Sequence, residues 1–282
     1  MTRTTIVLRL AAALAATAGV LVVPALAGPA SASVPGRYYA FASSSYTSGN
    51  KGVRVDCPTG TVLVGTSASI GGGEGQVRWD QIMPYSDHLY VHATEDEDGY
   101  SGTWNVNATA VCADPLPGLE IVPSTSTVTS NQYNSVAADC PGTKQLLGMG
   151  FTVNGGVGQV GIDDFKATSS TRATGWAYED ANGYSGTWSL TMYAICADTL
   201  PGYQIVQVVG ADQSAFSASL TASCPSGTVT LGGGGQVDGG AGAVILEDFA
   251  SSVTSYTVKA YEDQNGTANL WHLHAYAICV SP

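Results

Sequence analysis

The stretch YEDANGYSGTWSLTMYAICAD (Tyr178–Asp198) has a close relative upstream, TEDEDGYSGTWNVNATAVCAD (Thr94–Asp114), and a looser one downstream, YEDQNGTANLWHLHAYAICVS (Tyr261–Ser281). Each begins with an acidic residue pair and an Asn-Gly or Asp-Gly turn and then enters a run of alternating character. In the middle stretch Trp188, Leu190, Met192, Ala194 and Cys196 fall on one face, and Ser189, Thr191, Tyr193 and Ile195 on the other. That period of two belongs to a strand with one buried face. The first face recurs as Trp104, Val106, Ala108, Ala110, Cys112 and as Trp271, Leu273, Ala275, Ala277, Cys279. An Asn-Gly or Asp-Gly pair ahead of such a run signals a hairpin, because both turn positions take positive φ. The phrase therefore predicts, three times over, a hairpin that feeds a core strand.

The cysteines set the period. Cys57 and Cys112 are 55 residues apart, Cys140 and Cys196 are 56 apart, and Cys224 and Cys279 are 55 apart; successive first cysteines are spaced by 83 and 84. Pro35-Gly36, Pro117-Gly118 and Pro201-Gly202 open the copies, which span 33–115, 116–199 and 200–282 with no linker between them. Junctions this tight favour one threefold body or a stacked row over separate beads. Six strands are expected per copy. In copy 2 they are 119–123, 135–140, 145–153, 159–165, 172–179 and 187–196, separated by turns such as PGTK, NGGVG and ANG. No amphipathic helix of useful length is present, so the expected class is all-β: three homologous antiparallel-sheet repeats of about 84 residues, β-prism-like or in stacked sheets, with one disulfide each.

Residues 1–32 have the form of a secretory signal peptide. Arg3 and Arg9 precede an apolar run, and Ala30-Ser31-Ala32 is an A-x-A cleavage site. No later run is apolar and long enough to cross a bilayer. Without Arg3 and Arg9, eight basic residues stand against 22 acidic ones, a net charge of −14. Such a surface repels nucleic acid and anionic membranes. A secreted chain with an even cysteine count reads as an oxidised framework. Pairing is either within each copy or between successive copies with Cys57–Cys279 closing a ring. Loop entropy is roughly 4 kcal/mol per bridge in both schemes and does not choose. Pairing within copies is preferred, since it places both cysteines at strand ends of one sheet and needs no ring.

Candidate binding residues follow from the repeat. Glu95-Asp96, Glu179-Asp180 and Glu262-Asp263 precede the turns at Asp98-Gly99, Asn182-Gly183 and Asn265-Gly266. An Asp before such a turn caps it; clustered carboxylates and amide oxygens also offer ligands to calcium or to sugar hydroxyls. Calcium is therefore the one candidate cofactor. A second acidic set, Asp80, Asp164 and Asp248, lies about 24 residues after each first cysteine. On the strand before each turn, His92, Trp176 and Lys259 take equivalent outward positions beside Thr94, Tyr178 and Tyr261. An outward Trp or Tyr next to Asp and Asn suits stacking on a sugar ring. The polar face of the last strand reads Asn105, Asn107, Thr109, then Ser189, Thr191, Tyr193, then His272, His274, Tyr276. His272 and His274 are the weak metal-ligand candidates. There is no G-x-S-x-G, H-E-x-x-H or C-x-x-C motif.

CPTGTVLVGTSASIGGG, CPGTKQLLGMGFTVNGG and CPSGTVTLGGGGQVDGG, each paired with W-x-[VL]-x-x-x-A-[IV]-C, resemble a repeat of secreted actinobacterial proteins. The resemblance covers nearly the whole mature chain. More loosely, the C-P-x-G-x-x-x-x-G opening and threefold plan look like β-prism proteins of the vitelline outer-layer and jacalin-like lectin type. That likeness implies a closed threefold sheet body and carbohydrate binding, and carries over no functional residue. The expected function is a lectin-like protein recognising an extracellular or cell-wall polysaccharide. The alternatives are a polysaccharide hydrolase or lyase with its site in the diverged third copy, and a structural or inhibitory surface protein.

Overall fold

A computed structural model describes residues 34–282; the expected signal peptide lies outside the described residues. Copy 1 supplies β1 (Tyr38–Ser43), β2 (Lys51–Asp56), β3 (Val62–Gly71), β4 (Val77–Pro84), β5 (His88–Glu95) and β6 (Asn105–Ala113). Copy 2 supplies β7 (Glu120–Thr125), β8 (Tyr133–Asp139), β9 (Gln145–Asn154), β10 (Val160–Ser169), β11 (Arg172–Glu179) and β12 (Ser189–Ala197). Copy 3 supplies β13 (Gln204–Val209), β14 (Ser217–Ser223), β15 (Val229–Asp238), β16 (Val244–Ser251), β17 (Ser255–Glu262) and β18 (His272–Val280). The six strands expected in copy 2 are all present, with β10 running four residues further than its apolar pattern. No helix of the described residues is long and apolar enough to cross a membrane.

The strands form three six-stranded sheets with antiparallel pairing, ordered β1-β6-β3-β16-β17-β14, β13-β18-β15-β10-β11-β8 and β2-β5-β4-β9-β12-β7. No copy owns a sheet. Each gives three strands to one sheet and three to another, and the halves recombine cyclically, so a stacked row is ruled out. The chain changes sheet after the first, second, third and fifth strands of each copy, and only the fourth and fifth strands form a hairpin. The turns at Asp98-Gly99, Asn182-Gly183 and Asn265-Gly266, expected as hairpins, instead carry the chain from one sheet to another, and only their glycines have positive φ. After the third strand, Gly72, Gly73 and Gly75 in copy 1 all have positive φ, and so do Gly155, Gly156 and Gly158 in copy 2 and Gly239, Gly240 and Gly242 in copy 3. These corners turn the chain out of one sheet into the next instead of folding it back as a hairpin.

The seams between copies are short. Ile82 pairs with Phe151, Phe165 with Gly235, and Phe249 with Ala68. The aromatic rings interlock edge-on in the core, Phe151 to Phe165 at 5.3 Å and Phe165 to Phe249 at 5.1 Å. All fifteen residues of the expected core face are at most 2 % exposed, including Trp104, Trp188 and Trp271. Bulges at Leu63/Gly65 and Thr230/Gly232 let backbones of different copies meet. A Cβ on Gly65 would lie 1.9 Å from the Leu231 carbonyl oxygen, one on Gly148 2.9 Å from Gly65 Cα, and one on Gly232 2.7 Å from the Leu147 carbonyl oxygen.

The disulfides are Cys57–Cys112, Cys140–Cys196 and Cys224–Cys279, with Cα separations of 5.7, 5.5 and 5.7 Å. Pairing is within copies, but not for the reason of a shared sheet. Cys57 follows β2 and Cys112 lies in β6, which belong to different sheets. Each bridge thus ties together the two sheets its copy helps to build. The three disulfides are consistent with an oxidising environment.

The second acidic set also needs correction. Gln81 pairs with His92, Asp164 with Trp176 and Asp248 with Lys259, so Gln81 is in register with the two aspartates. Asp80 matches Asp163 and Glu247 instead. Asp80 stands 23 residues after Cys57 where the others stand 24 after their cysteines, and the one-residue offset falls on a bulge, so Asp80 still reaches His92 Nδ1 at 2.8 Å.

Candidate functional site

The acidic phrase lies at one end of the body, and its carboxylates point inward. Glu95, Glu179 and Glu262 each accept the indole N–H of the tryptophan nine residues on, Trp104 at 2.7 Å, Trp188 at 2.9 Å and Trp271 at 3.0 Å. Burial pushes the Glu95 carboxyl up, but the Trp104 indole and the Gly49 and Tyr100 amides outweigh it and leave it below the usual range. Asp96, Asp180 and Asp263 are 5 %, 5 % and 3 % exposed. One oxygen of Asp180 accepts the amides of Asn182 and Gly183 at 3.1 and 3.0 Å, and Asp263 does the same for Asn265 and Gly266. These are the expected turn caps.

Their second oxygens face a residue that has no counterpart in the other copies. Arg78 is 2 % exposed, with its guanidinium 3.9 Å from Asp180 and 3.7 Å from Asp263. Asp96 of its own copy adds to the field around it. The equivalent positions are Gly161 and Ile245, and a Cβ on Gly161 would touch the guanidinium at 2.9 Å. Desolvation raises all three Asp carboxyls, with Arg78 pulling them back; Asp180 ends at about 6. Copies interlock here as well. A Cβ on Gly75, Gly158 or Gly242 would lie 2.1, 2.5 or 2.3 Å from the carbonyl oxygen of Glu262, Glu95 or Glu179. Asn182 is exposed and its amide donates to Glu97 of copy 1; Asn265 is exposed as well. The turn of copy 1 borders a cleft of about 590 Å³ that includes Glu95 and Asp98.

Tyr261, Tyr178 and Trp176 have different settings. Tyr261 is 8 % exposed, under Phe216 at 5.7 Å and the Lys259 ammonium at 4.4 Å. Trp176 and Tyr178 remain half-buried on β11 and line a groove of about 340 Å³ where copy 2 meets copy 3. Tyr133 of β8 stacks on Trp176 with centroids 5.8 Å apart and packs beside Tyr178 at 5.7 Å. Across the sheet, the register aligns Ser135, Trp176, Asp164, Gln236 and His274 in one row. Lys166 pairs with Asp164 at 2.7 Å. Asp163 and Asp238 complete the acidic lining. Burial pushes Asp163 well above the usual carboxylate range, reinforced by Asp164 and Asp238; Asp164 is also raised by burial, with Lys166 opposing.

The same row in the other two sheets reads His92, Gln81, Thr152, Thr191 and Lys259, Asp248, Ser69, Asn107. Neither combines an accessible aromatic platform with the acidic and amide groups found at the copy 2–copy 3 seam. His272 and His274 of β18 lie next to this groove, and Asp238, which lines it, sits 3.1 Å from His274 Nε2. Of the groove residues, Trp176 and Tyr178 were legible as outward aromatics, whereas Tyr133, Lys166, Gln236 and Asp238 were not. Aligning the copies would have shown Asp238 opposite Gly71 and Asn154, a lone charge at a neutral position.

No protein-family model matches this chain, and no curated protein matches it.

Proposed function

We propose that the protein acts outside the cell as a lectin-like binder of a polysaccharide, through the groove between copies 2 and 3. The observation that carries this reading is Trp176 stacked on Tyr133 beside Tyr178, next to the Asp164–Lys166 pair and Gln236. A partly exposed indole offers a flat apolar face to a pyranose ring, and flanking carboxylate, ammonium and amide groups fix its hydroxyls. The acidic turns expected to form the site serve this reading only indirectly, by holding the sheets that position the groove. One site per chain follows, in place of three.

The test is a depletion assay with insoluble chitin, cellulose, mannan, arabinogalactan and cell-wall preparations, read together with release of soluble fragments. Depletion that Trp176→Ala abolishes, while His92→Ala and Lys259→Ala at the equivalent positions retain it, supports the reading. Equal depletion by all three variants, or none by the parent protein, contradicts it. A second reading, hydrolysis, is favoured by one observation. Burial pushes the Asp163 carboxyl well above the usual carboxylate range in the same groove as Asp164 and Asp238, an arrangement suited to an acid and an ionised partner. Fragment release lost in Asp163→Asn distinguishes it from binding alone.

A further inference from the structure

We infer that His272, His274 and Asp238 form a zinc-type divalent metal site. The Nε2 atoms of His272 and His274 face each other at 3.2 Å. Asp238 Oδ2 lies 3.1 Å from His274 Nε2 and 3.5 Å from His272 Nε2. Three ligand atoms bound to one tetrahedral zinc at 2.0–2.2 Å would be separated by about 3.3 Å from one another. The observed triangle is one face of that tetrahedron.

The surroundings complete the pattern. Asp212, on the loop after β13, lies 2.7 Å from His272 Nδ1. A carboxylate there accepts a hydrogen bond from Nδ1–H and so leaves the Nε2 lone pair for a metal, the usual outer partner of a ligating histidine. Gln207 Nε2 lies 2.9 Å from His274 Nδ1; turning that amide brings its oxygen to the ring, where it accepts Nδ1–H and frees the Nε2 lone pair for a metal. The two rings stack at 5.1 Å, so both are held in place. Two imidazoles with one carboxylate select a transition metal of zinc type over calcium.

The other copies act as internal controls. The positions of Asp238, His272 and His274 are Asn154, Ser189 and Thr191 in copy 2, where the Asn154 amide donates to Ser189 Oγ at 3.3 Å and Thr191 Oγ1 at 3.0 Å. In copy 1 they are Gly71, Asn105 and Asn107, with the Asn105 amide donating to Asn107 at 3.1 Å. The position of Asp212 is Tyr46 in copy 1 and Val128 in copy 2, as the bridges at Thr47, Thr129 and Gln213 define. The same scaffold is thus satisfied by neutral hydrogen bonds twice, and all four metal-suited residues occur together only in copy 3. Three protein ligands leave the fourth position of the tetrahedron for water or a ligand group. Asp238 is shared with the groove, which puts that position next to it.

The experiment uses the mature protein, stripped with chelator, dialysed against zinc alone and analysed for bound metal; cobalt replaces zinc in a parallel absorption measurement. The expected result is one zinc per chain and visible cobalt absorption of tetrahedral intensity. His274→Ala and Asp238→Asn lose at least tenfold in affinity, Asp212→Asn loses about tenfold or more, and His88→Ala and His92→Ala leave binding unchanged. Calcium in excess does not displace the metal. Absence of stoichiometric zinc and of the cobalt bands in the parent protein would overturn the inference, leaving a hydrogen-bonded histidine pair. Zinc retained by the His274 variant would overturn it too. No glycan is present in this assay, so its outcome is independent of the polysaccharide reading.

Discussion

Replacing Arg78 by methionine removes the guanidinium and keeps most of the aliphatic stem. Three carboxylates, Asp96, Asp180 and Asp263, are then left within the same buried end, all at most 5 % exposed. Removing one partner of a buried ion pair costs about 3–5 kcal/mol at neutral pH, because the remaining charge stays desolvated. The carboxyls are already raised by burial with Arg78 opposing, so its loss raises them further. A carboxyl with a folded-state value above its unfolded one binds more protons in the folded protein, so stability falls as pH rises through that window. The variant must therefore lose stability more steeply than the parent between pH 4 and 7. Toward acid pH the raised carboxyls take up protons in both proteins, and the difference shrinks to the roughly 1 kcal/mol expected for a volume-conserving swap. Urea unfolding with disulfides intact, at pH 4 and pH 7.5, measures both values. A deficit under 1 kcal/mol at pH 7.5, or one equally large at both pH values, would refute the assignment of Arg78 as the charge partner of the three turns.

Further expectations concern single features. Gly65→Ala forces a Cβ to within 1.9 Å of the Leu231 backbone oxygen, so it should cost at least about 3 kcal/mol in urea unfolding, whereas Gly60→Ala, with open space but positive φ, should cost about 1. Paired Cys140→Ser/Cys196→Ser unties two sheets and should lower stability by about 2–5 kcal/mol, read as a lower denaturation midpoint against the parent. Asp180 at about 6 binds a proton in the folded state that the unfolded chain has lost, and so contributes a decline in stability as pH rises from 4 to 7. Asp180→Asn, which keeps the capping oxygen, should flatten that decline; an unchanged pH profile would sink the assignment.

The local elements were legible in the chain because they depend on local chemistry. The alternation from Trp188 to Cys196 specifies one strand and Asn182-Gly183 one turn without reference to the rest of the molecule, but the expected hairpin does not form there, because β11 and β12 pair with other strands in different sheets. The cysteine period, likewise, exposed three copies. What the sequence could not convey is which strand lies beside which across copies. The seam of β10 with β15 rests on Asp164↔Gln236 and Phe165↔Gly235 alone, residues that give no pairing signal of their own. The groove residues meet only through that seam, so Trp176 was visible while Gln236 and Asp238 were not. The acidic turns present the opposite case. Carboxylate, amide and glycine in threefold repetition have the composition of a ligand site; the indoles that engage the glutamates stand nine residues on in the same phrase, and only Arg78, which faces the aspartates, lies elsewhere in the sequence. Arg78 itself could have been suspected, as a charge in a strand position held by Gly161 and Ile245 in the other copies.

The central functional claim is that a polysaccharide segment stacks on Trp176, and tryptophan fluorescence tests it most directly. The chain has five tryptophans, and Trp79, Trp104, Trp188 and Trp271 are at most 1 % exposed, so a soluble quencher reaches Trp176 almost alone. Quenching by acrylamide is measured with and without soluble oligosaccharides of the polysaccharide that depletes the protein. The account predicts saturable protection from quenching on adding the oligosaccharide, and loss of that response in Trp176→Tyr. Binding that leaves Trp176 as accessible as before would place the ligand elsewhere and contradict the account.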